Sequence, residues 1–308
     1  MANITKILAF DFDLCVCDGE GFFDLFTQLL DVYEFTRSKA PGSLPEGFVK
    51  AVERSYKTLA IDVAAATNRG QLYLFRPGLE RVFQTVQQMK RGGLVDYVMF
   101  YSNNTCPEFL SFLELVVRLA YPTMGLSPAK PVIELVFTAN TSSRVKTEYA
   151  PTHMPNARLK TRAGMLTCLQ DLDLPLENEV QILFFDDMDH PDLNAHLKLV
   201  PAYKALHTAD QISTVFYDCF TRTGLFVDGF LRPEWKGLNI HNTLLKTSAD
   251  DFLKWLRLRD LPTSINMSSV RKENIISDSM IQDILRFCDA STTQAKKRMS
   301  RRQRRIGI

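Results

Sequence analysis

Two acids stand one residue apart in 10-FDFDLCVCDG-19, directly after the apolar run Ile7-Leu8-Ala9. Asp11 and Asp13 form the first of three polar clusters that each follow a short apolar run. The second, 102-SNNT-105, follows 95-VDYVMFY-101, and the third, 186-DDMDHPD-192, follows 180-VQILFF-185. Taken singly these are ordinary, because acids often end strands as turn residues and a serine such as Ser102 often caps a helix. Gathered in one place, four or five carboxylates would repel one another unless a cation lay among them. Hard carboxylate oxygens, with waters and a phosphate completing the shell, describe a Mg²⁺ site.

That chemistry assigns roles. A carboxylate can attack phosphorus and carry it as an aspartyl-phosphate, and Mg²⁺ would offset the repulsion between Asp11 and an anionic substrate. Asp13, two residues later, would protonate the leaving oxygen and then activate water. Ser102, its neighbour Asn103 and backbone N–H groups of the loop after Phe10 are candidates to bind the phosphoryl oxygens. Lys160, in 158-RLKTRAG-164 ahead of Asp186, is the candidate cation. From the third cluster Asp186 and Asp187 are both candidate metal ligands.

The elements that must position these residues are legible as alternation. Candidate strands are 5-TKILAF-10, 95-VDYVMFY-101, 132-VIELVF-137, 180-VQILFF-185 and 199-LVPAYKAL-206. Several are apolar nearly throughout, as strands covered on both faces are. Between them lie segments of helical period: 22–33, 77–91 with Pro77 at a first helical position, 107–121, and 161–172. The alternation predicts an α/β fold with a doubly wound parallel sheet, in which the carboxyl ends of the strands share one edge and ligands bind there. Residues 1–18 and 76–206 form the expected core. Residues 19–75 read as a helical, cap-like insertion, and 207–295 as a helix-rich region with a capping box from Ser248 to Asp251. Residues 296–308 read as a basic, disordered tail.

The bulk numbers fit. Of 308 residues 45% are hydrophobic and 23% charged, which supports a full-sized core and excludes wholesale disorder. Net charge is +2, yet 296-KKRMSRRQRR-305 alone carries seven positive charges, so the rest of the chain stands at −5. An arginine-rich block of that kind points to nuclear import or nucleic-acid contact, with a plain solubility tail as the alternative. The six scattered cysteines form no CxxC pair and predict reduced thiols in an intracellular, cytosolic or nuclear setting. The N-terminal stretch is a poor signal peptide, and no apolar run approaches the roughly 20 residues of a membrane span. The histidines at 153, 190, 196, 207 and 241 show no metal spacing, and Trp235 and Trp255 read as core or interface residues.

In order along the chain, 7-ILAFDFDLCV-16, 98-VMFYSNN-104, Lys160 and 182-ILFFDDMD-189 resemble the four motifs of the haloacid dehalogenase (HAD) superfamily of phosphohydrolases. The segment 75-FRPGLERVFQTV-86 is similar to the Arg-Pro-Gly helix of its RNA-polymerase-tail phosphatases (FCP/SCP type). The resemblance spans roughly residues 5 to 206 and implies Asp11 as nucleophile and Asp13 as acid/base. It also implies Mg²⁺ held by Asp11, the Asp13 carbonyl and an acid of the fourth motif, Asp187 before Asp186. One departure is Cys15, where the family usually has a threonine whose hydroxyl braces the loop. Acidic neighbours should raise the thiol pKa and keep it unreactive. The combination of an FCP/SCP-like core, a helix-rich C-terminal region and a basic end also resembles nucleocapsid-assembly proteins of baculoviruses and related nudiviruses. That likeness implies a phosphoprotein substrate, capsid-protein partners and a place in the host nucleus or virion. Two other readings stay open: a phosphatase of nucleic-acid ends, tracking the backbone with residues 296–305, and a non-catalytic scaffold that binds capsid or nucleic acid.

Overall fold

The computed structural model describes residues 4–19, 21–120, 132–142, 160–177, 179–238, 248–259 and 261–306, the last with side chains as far as residue 289. Five parallel strands form the central sheet in the order β3-β2-β1-β4-β5. They are β1 (Ile4–Phe10), β2 (Tyr97–Tyr101), β3 (Leu135–Phe137), β4 (Glu179–Asp186) and β5 (Leu197–Leu199). The chain steps outward from β1 through β2 to β3, then returns to place β4 on the other side of β1. The order therefore reverses between β1 and β4, the position where open α/β sheets bind ligands.

Register sets what meets at that edge. Phe10 of β1 lies opposite both Phe100 of β2 and Phe185 of β4, so the three strands end almost level. Their side chains alternate with the two-residue period of a strand. Leu8, Phe10, Phe100 and Phe185 join one apolar cluster, while Ile7, Ala9, Met99 and Phe184 join the other. Both faces are covered, which is why these strands read as continuous apolar runs.

Helix α5 (Arg162–Gln170) covers the second face through Met165, Cys168 and Leu169. The first face carries α1 (Phe22–Ser38), α2 (Glu46–Asn68), α3 (Leu79–Arg91), α4 (Pro107–Ala120) and α6 (Ala209–Arg222). The helical insertion shares this core: Phe26, Phe48, Val52 and Leu59 belong to the same buried cluster as Leu8 and Phe10. After α6 come a small hairpin of β6 (Phe226–Val227) and β7 (Phe230–Leu231), then α7 (Ala249–Leu256) and the long α8 (Met267–Ile306).

Several sequence expectations need correction. The fifth strand is Leu197–Leu199, and residues 200–206 run on without strand pairing, because Pro201 has no N–H to give a ladder and its carbonyl serves Arg76 instead. Helix α3 starts at Leu79, beyond Pro77, because Gly78 at φ 83 turns the chain into the helix. At Ser248 the hydroxyl accepts the Asp251 N–H at 3.2 Å, but the return contact joins the two side chains, since aspartate is too short to reach back to the cap N–H. The complete capping box is Thr208 with Gln211, which the sequence reading missed. The basic segment 296–305, expected to be a disordered tail, continues α8, as a run of good helix-forming residue types can.

Trp235 is buried against Phe48, with ring centroids 5.4 Å apart, and Trp255 packs on the main cluster, as core residues do. His207 is buried with its ring Nδ1 on the Tyr73 carbonyl at 3.0 Å, and His196 is half-buried near the sheet edge. Residue 121 of the expected helix, His153, His241 and the side chains of residues 296–305 lie outside the described set. Among the described residues no disulfide joins any of the six cysteines. Among the described residues no helix is long and apolar enough to cross a membrane.

Candidate functional site

The last rung of the sheet delivers the first acid. The Asp11 N–H donates to the Phe185 carbonyl at 2.7 Å, which carries β1 one residue beyond Phe10 and leaves the Asp11 side chain at the switch point. The chain then turns sharply. Val16 and Cys17 both donate their N–H to the Phe12 carbonyl at 3.1 Å, and Leu14 donates to Cys17 at 2.8 Å. Leu14 takes φ 60, a left-handed conformation that a bulky residue adopts only when its surroundings impose it.

Asp13 is held from β2. Ser102 Oγ donates to Asp13 Oδ2 at 3.2 Å, and Asn104 Nδ2 reaches Oδ1 at 3.4 Å. Ser102 Oγ also accepts the Asn104 N–H at 3.1 Å, so the hydroxyl ties the strand end to its own loop. Asn103, partly buried, stands between them. Asn104 was not singled out in the sequence, and its signal was only its place in the same polar exit. A cavity of about 280 Å³ opens beside Asp13, walled in part by Leu14, Phe23, Asn104 and Phe109.

Lys160 enters just ahead of α5 and is 2% exposed. Its ammonium lies 2.7 Å from Asp11 Oδ1 and 2.7 Å from Asp186 Oδ2, at the carboxyl ends of β1 and β4. Burial alone would pull this amine down, but attraction to Asp11 and Asp186 outweighs it and keeps the group charged. Both Asp186 oxygens are engaged: Oδ1 accepts the Met188 N–H at 2.8 Å, and Oδ2 also faces His190 Nε2 at 2.9 Å. Burial works against the Asp186 carboxylate, yet His190 and Lys160 prevail and hold it below the usual range.

His190 is a second site residue that sequence reasoning missed. It is fully buried, and its Nδ1 accepts the Lys160 N–H at 3.2 Å. An accepting Nδ1 puts the proton on Nε2, which donates to Asp186. The spacing, four residues after Asp186, was the available signal. It carried no weight because a lone histidine in a post-strand loop is most often structural.

Asp187 is half-buried. One carboxylate oxygen from each of Asp11, Asp186 and Asp187 lies within 4.8 Å of the others. Burial raises Asp187 and repulsion from Asp186 adds to it. Burial pushes Asp11 up to about 7, against the pull of Lys160. It raises Asp13 as well, while Asn104 and Ser102 oppose the shift. Asp11 Oδ1 makes no well-aligned hydrogen bond despite its closeness to Lys160. A buried, under-satisfied carboxylate oxygen within a group of hard oxygen donors fits a divalent cation such as Mg²⁺.

Behind the acids, Cys15 is fully buried and its thiol is pushed well above the ordinary value, chiefly by burial and then by Asp11. The direction agrees with the sequence expectation, but the leading cause is burial rather than charge. The loop brace comes from Arg76 of the Arg-Pro-Gly segment, whose Nε donates to the Cys15 carbonyl at 2.8 Å. No protein-family model, curated protein or solved structure matches this chain.

Proposed function

We propose that this chain is a Mg²⁺-dependent phosphatase that works through a phosphorylated Asp11. The observation that carries the reading is the sharing of one buried lysine between Asp11 and Asp186, with Asp187 beside them and Asp13 held separately by Ser102 and Asn104. Two carboxylates with different surroundings suit two different tasks. The ordered resemblance of the four motifs to the HAD superfamily supports the same assignment, and the β1/β4 switch point is where such a site belongs.

In the first half-reaction an Asp11 oxygen attacks phosphorus, the bond to the leaving oxygen breaks, and Asp13 gives that oxygen its proton. In the second, Asp13 takes a proton from water, the water oxygen attacks phosphorus, and inorganic phosphate departs with Asp11 restored. The raised pKa of Asp13 favours a proton-carrying acid. Lys160 orients Asp11 and neutralises part of the charge that gathers there, and Ser102 fixes the angle of Asp13. Asn103, at the same strand end, is the candidate to contact the phosphoryl group. Asp11, the Asp13 carbonyl and Asp187 would hold Mg²⁺. Asp187 is preferred to Asp186 because the Asp186 oxygens already serve Met188, Lys160 and His190. The ion would supply electrostatic stabilisation of the phosphoryl oxygens.

For substrate we favour a phosphoprotein, with capsid proteins in a nuclear or virion setting as the candidate class, on the FCP/SCP-like and nucleocapsid-assembly resemblances. The cavity beside Asp13 has the volume of a side chain or two rather than of a large ligand. The basic segment 296–305 favours a second reading, dephosphorylation of nucleic-acid ends. Deleting it tests the choice: large loss on a DNA 3′-phosphate with little loss on a phosphopeptide supports the second reading. The reading as a whole is tested by turnover of an aryl phosphate with Mg²⁺ and its arrest by EDTA. Absence of any turnover, with an Asp11→Asn chain that still performs the biological role, would favour a non-catalytic scaffold.

A further inference from the structure

Helix α8 reaches the loop of the two acids through one side chain. Arg76 is only 1% exposed. Its Nε donates to the Cys15 carbonyl at 2.8 Å, and Nη2 donates to the carbonyls of Leu14 at 3.1 Å and Pro201 at 2.6 Å. Nη1 pairs with the carboxylate of Glu273 on α8. The Leu14 carbonyl also accepts the Tyr203 N–H at 2.6 Å, and the Tyr203 ring lies 5.4 Å from the guanidinium carbon. The segment so clamped follows Asp13 directly and includes Leu14 at φ 60. That conformation is strained for an L-residue and persists only where neighbours over-determine it.

Glu273 is the charged member of this clamp. The other three Arg76 contacts are neutral carbonyls, and a buried guanidinium that loses its carboxylate is left uncompensated. Around the pair, α8 is keyed to the same turn. Ser277 Oγ donates to the Pro77 carbonyl at 2.7 Å, and Arg81 reaches Asp278 at 2.5 Å and Asn274 at 3.0 Å. The position of Glu273 relative to Arg76 is thus fixed by several contacts on either side of it.

We propose that Glu273 is a positioning residue for Asp13: it holds Arg76 on the Leu14 and Cys15 carbonyls and thereby fixes the acid/base carboxyl. The C-terminal helix then supports the loop of the two acids through Arg76 rather than standing as an appendage to the sheet. The inference rests on the phosphatase reading above. It has a kinetic signature, because a positioned acid matters most when the leaving oxygen is a poor one. Phenol needs the proton of Asp13; 4-nitrophenol leaves well without it.

The test uses the full chain with Mg²⁺ and compares kcat/KM for phenyl phosphate and 4-nitrophenyl phosphate. Glu273→Gln should lose about tenfold more on phenyl phosphate than on the nitrophenyl ester, a fraction of the effect of deleting a general acid. Ser277→Ala, which removes a neighbouring α8 contact without touching Arg76, should lower thermal stability and reduce both substrates equally. Equal losses for Glu273→Gln would overturn the inference while leaving the phosphatase reading intact. Should Glu273→Gln fail to fold, the paired Arg76→Met, Glu273→Leu chain removes both charges together, and the same selective loss is expected of it. Equal losses there would also overturn the inference. A wild-type chain that turns over neither ester rejects the phosphatase reading and this inference with it.

Discussion

His190 Nε2 lies 2.9 Å from Asp186 Oδ2, and the other nitrogen of the same ring accepts the backbone N–H of Lys160. The ring therefore spans the two residues that face Asp11, and it does so in full burial. His190→Ala removes both contacts and leaves a buried N–H and a carboxylate under-satisfied, at a cost of about 1–3 kcal/mol for each group. Urea unfolding should show a lower midpoint at unchanged slope, and turnover should fall as Lys160 loses its fixed backbone.

Asp11→Asn and Asp13→Asn should each reduce turnover of an aryl phosphate by about a hundredfold or more, as loss of a nucleophile or an acid/base group does. The two should differ in binding of beryllofluoride with Mg²⁺, followed by fluorine NMR. Asp13→Asn keeps the acceptor carboxylate and should retain the bound signal; Asp11→Asn should abolish it. Activity that survives both substitutions would reject the mechanism.

The acids also predict how stability depends on pH. Burial raises Asp11 to about 7 and raises Asp13 and Asp187. Between about pH 4 and pH 7 the folded chain therefore holds more protons at Asp11 than the unfolded chain does, and stability falls as pH rises through that window. Asp186, held low by His190 and Lys160 against burial, opposes this and loses its contribution on acidification. Without metal the melting temperature should decline towards neutral pH. On the proposed reading Mg²⁺ would bind the ionised carboxylates and should raise the melting temperature most near and above pH 7. Asp11→Asn should flatten the metal-free curve, and a melting temperature insensitive to Mg²⁺ at pH 8 would argue against a metal at these acids.

Gly78 has φ +83, and a Cβ there would lie 2.8 Å from Arg81 Nη2, 2.9 Å from Asn274 Oδ1 and 3.0 Å from Ser277 Cβ. The substitution Gly78→Ala combines backbone strain with a wedge between α3 and α8. A loss of about 1–3 kcal/mol is expected, read as a lower melting temperature. An unchanged melting temperature would mean that α8 does not pack on this turn in solution.

Much of the fold was legible because it depends on local pattern. The continuous apolar runs of β1, β2 and β4 report strands covered on both faces, and the polar residues that end them report the sheet edge. The spacing of Phe22, Phe26 and Leu29, or of Leu79, Val82 and Phe83, shows which helix faces are buried. Asp11, Asp13, Ser102, Asp186 and Asp187 could be chosen as candidates before any contact was known, because residue type and position after a strand carry that information, whereas Lys160 was chosen for its charge and its place ahead of a helix.

What tertiary structure alone decided was the set of partners. Nothing local distinguishes His190 from any loop histidine until β4 and the segment before α5 place it between Asp186 and Lys160. Arg76 and Glu273 are almost two hundred residues apart, and no periodicity links them. Likewise, both Asp186 and Asp187 read as candidate metal ligands in the sequence, and the contacts of Asp186 with Met188, Lys160 and His190 come only with the fold. Period and residue type determine which side chains are buried and which end at an edge. The pairing of buried charges is settled by packing among distant segments, since only there does the cost of an unpaired charge select one partner over another.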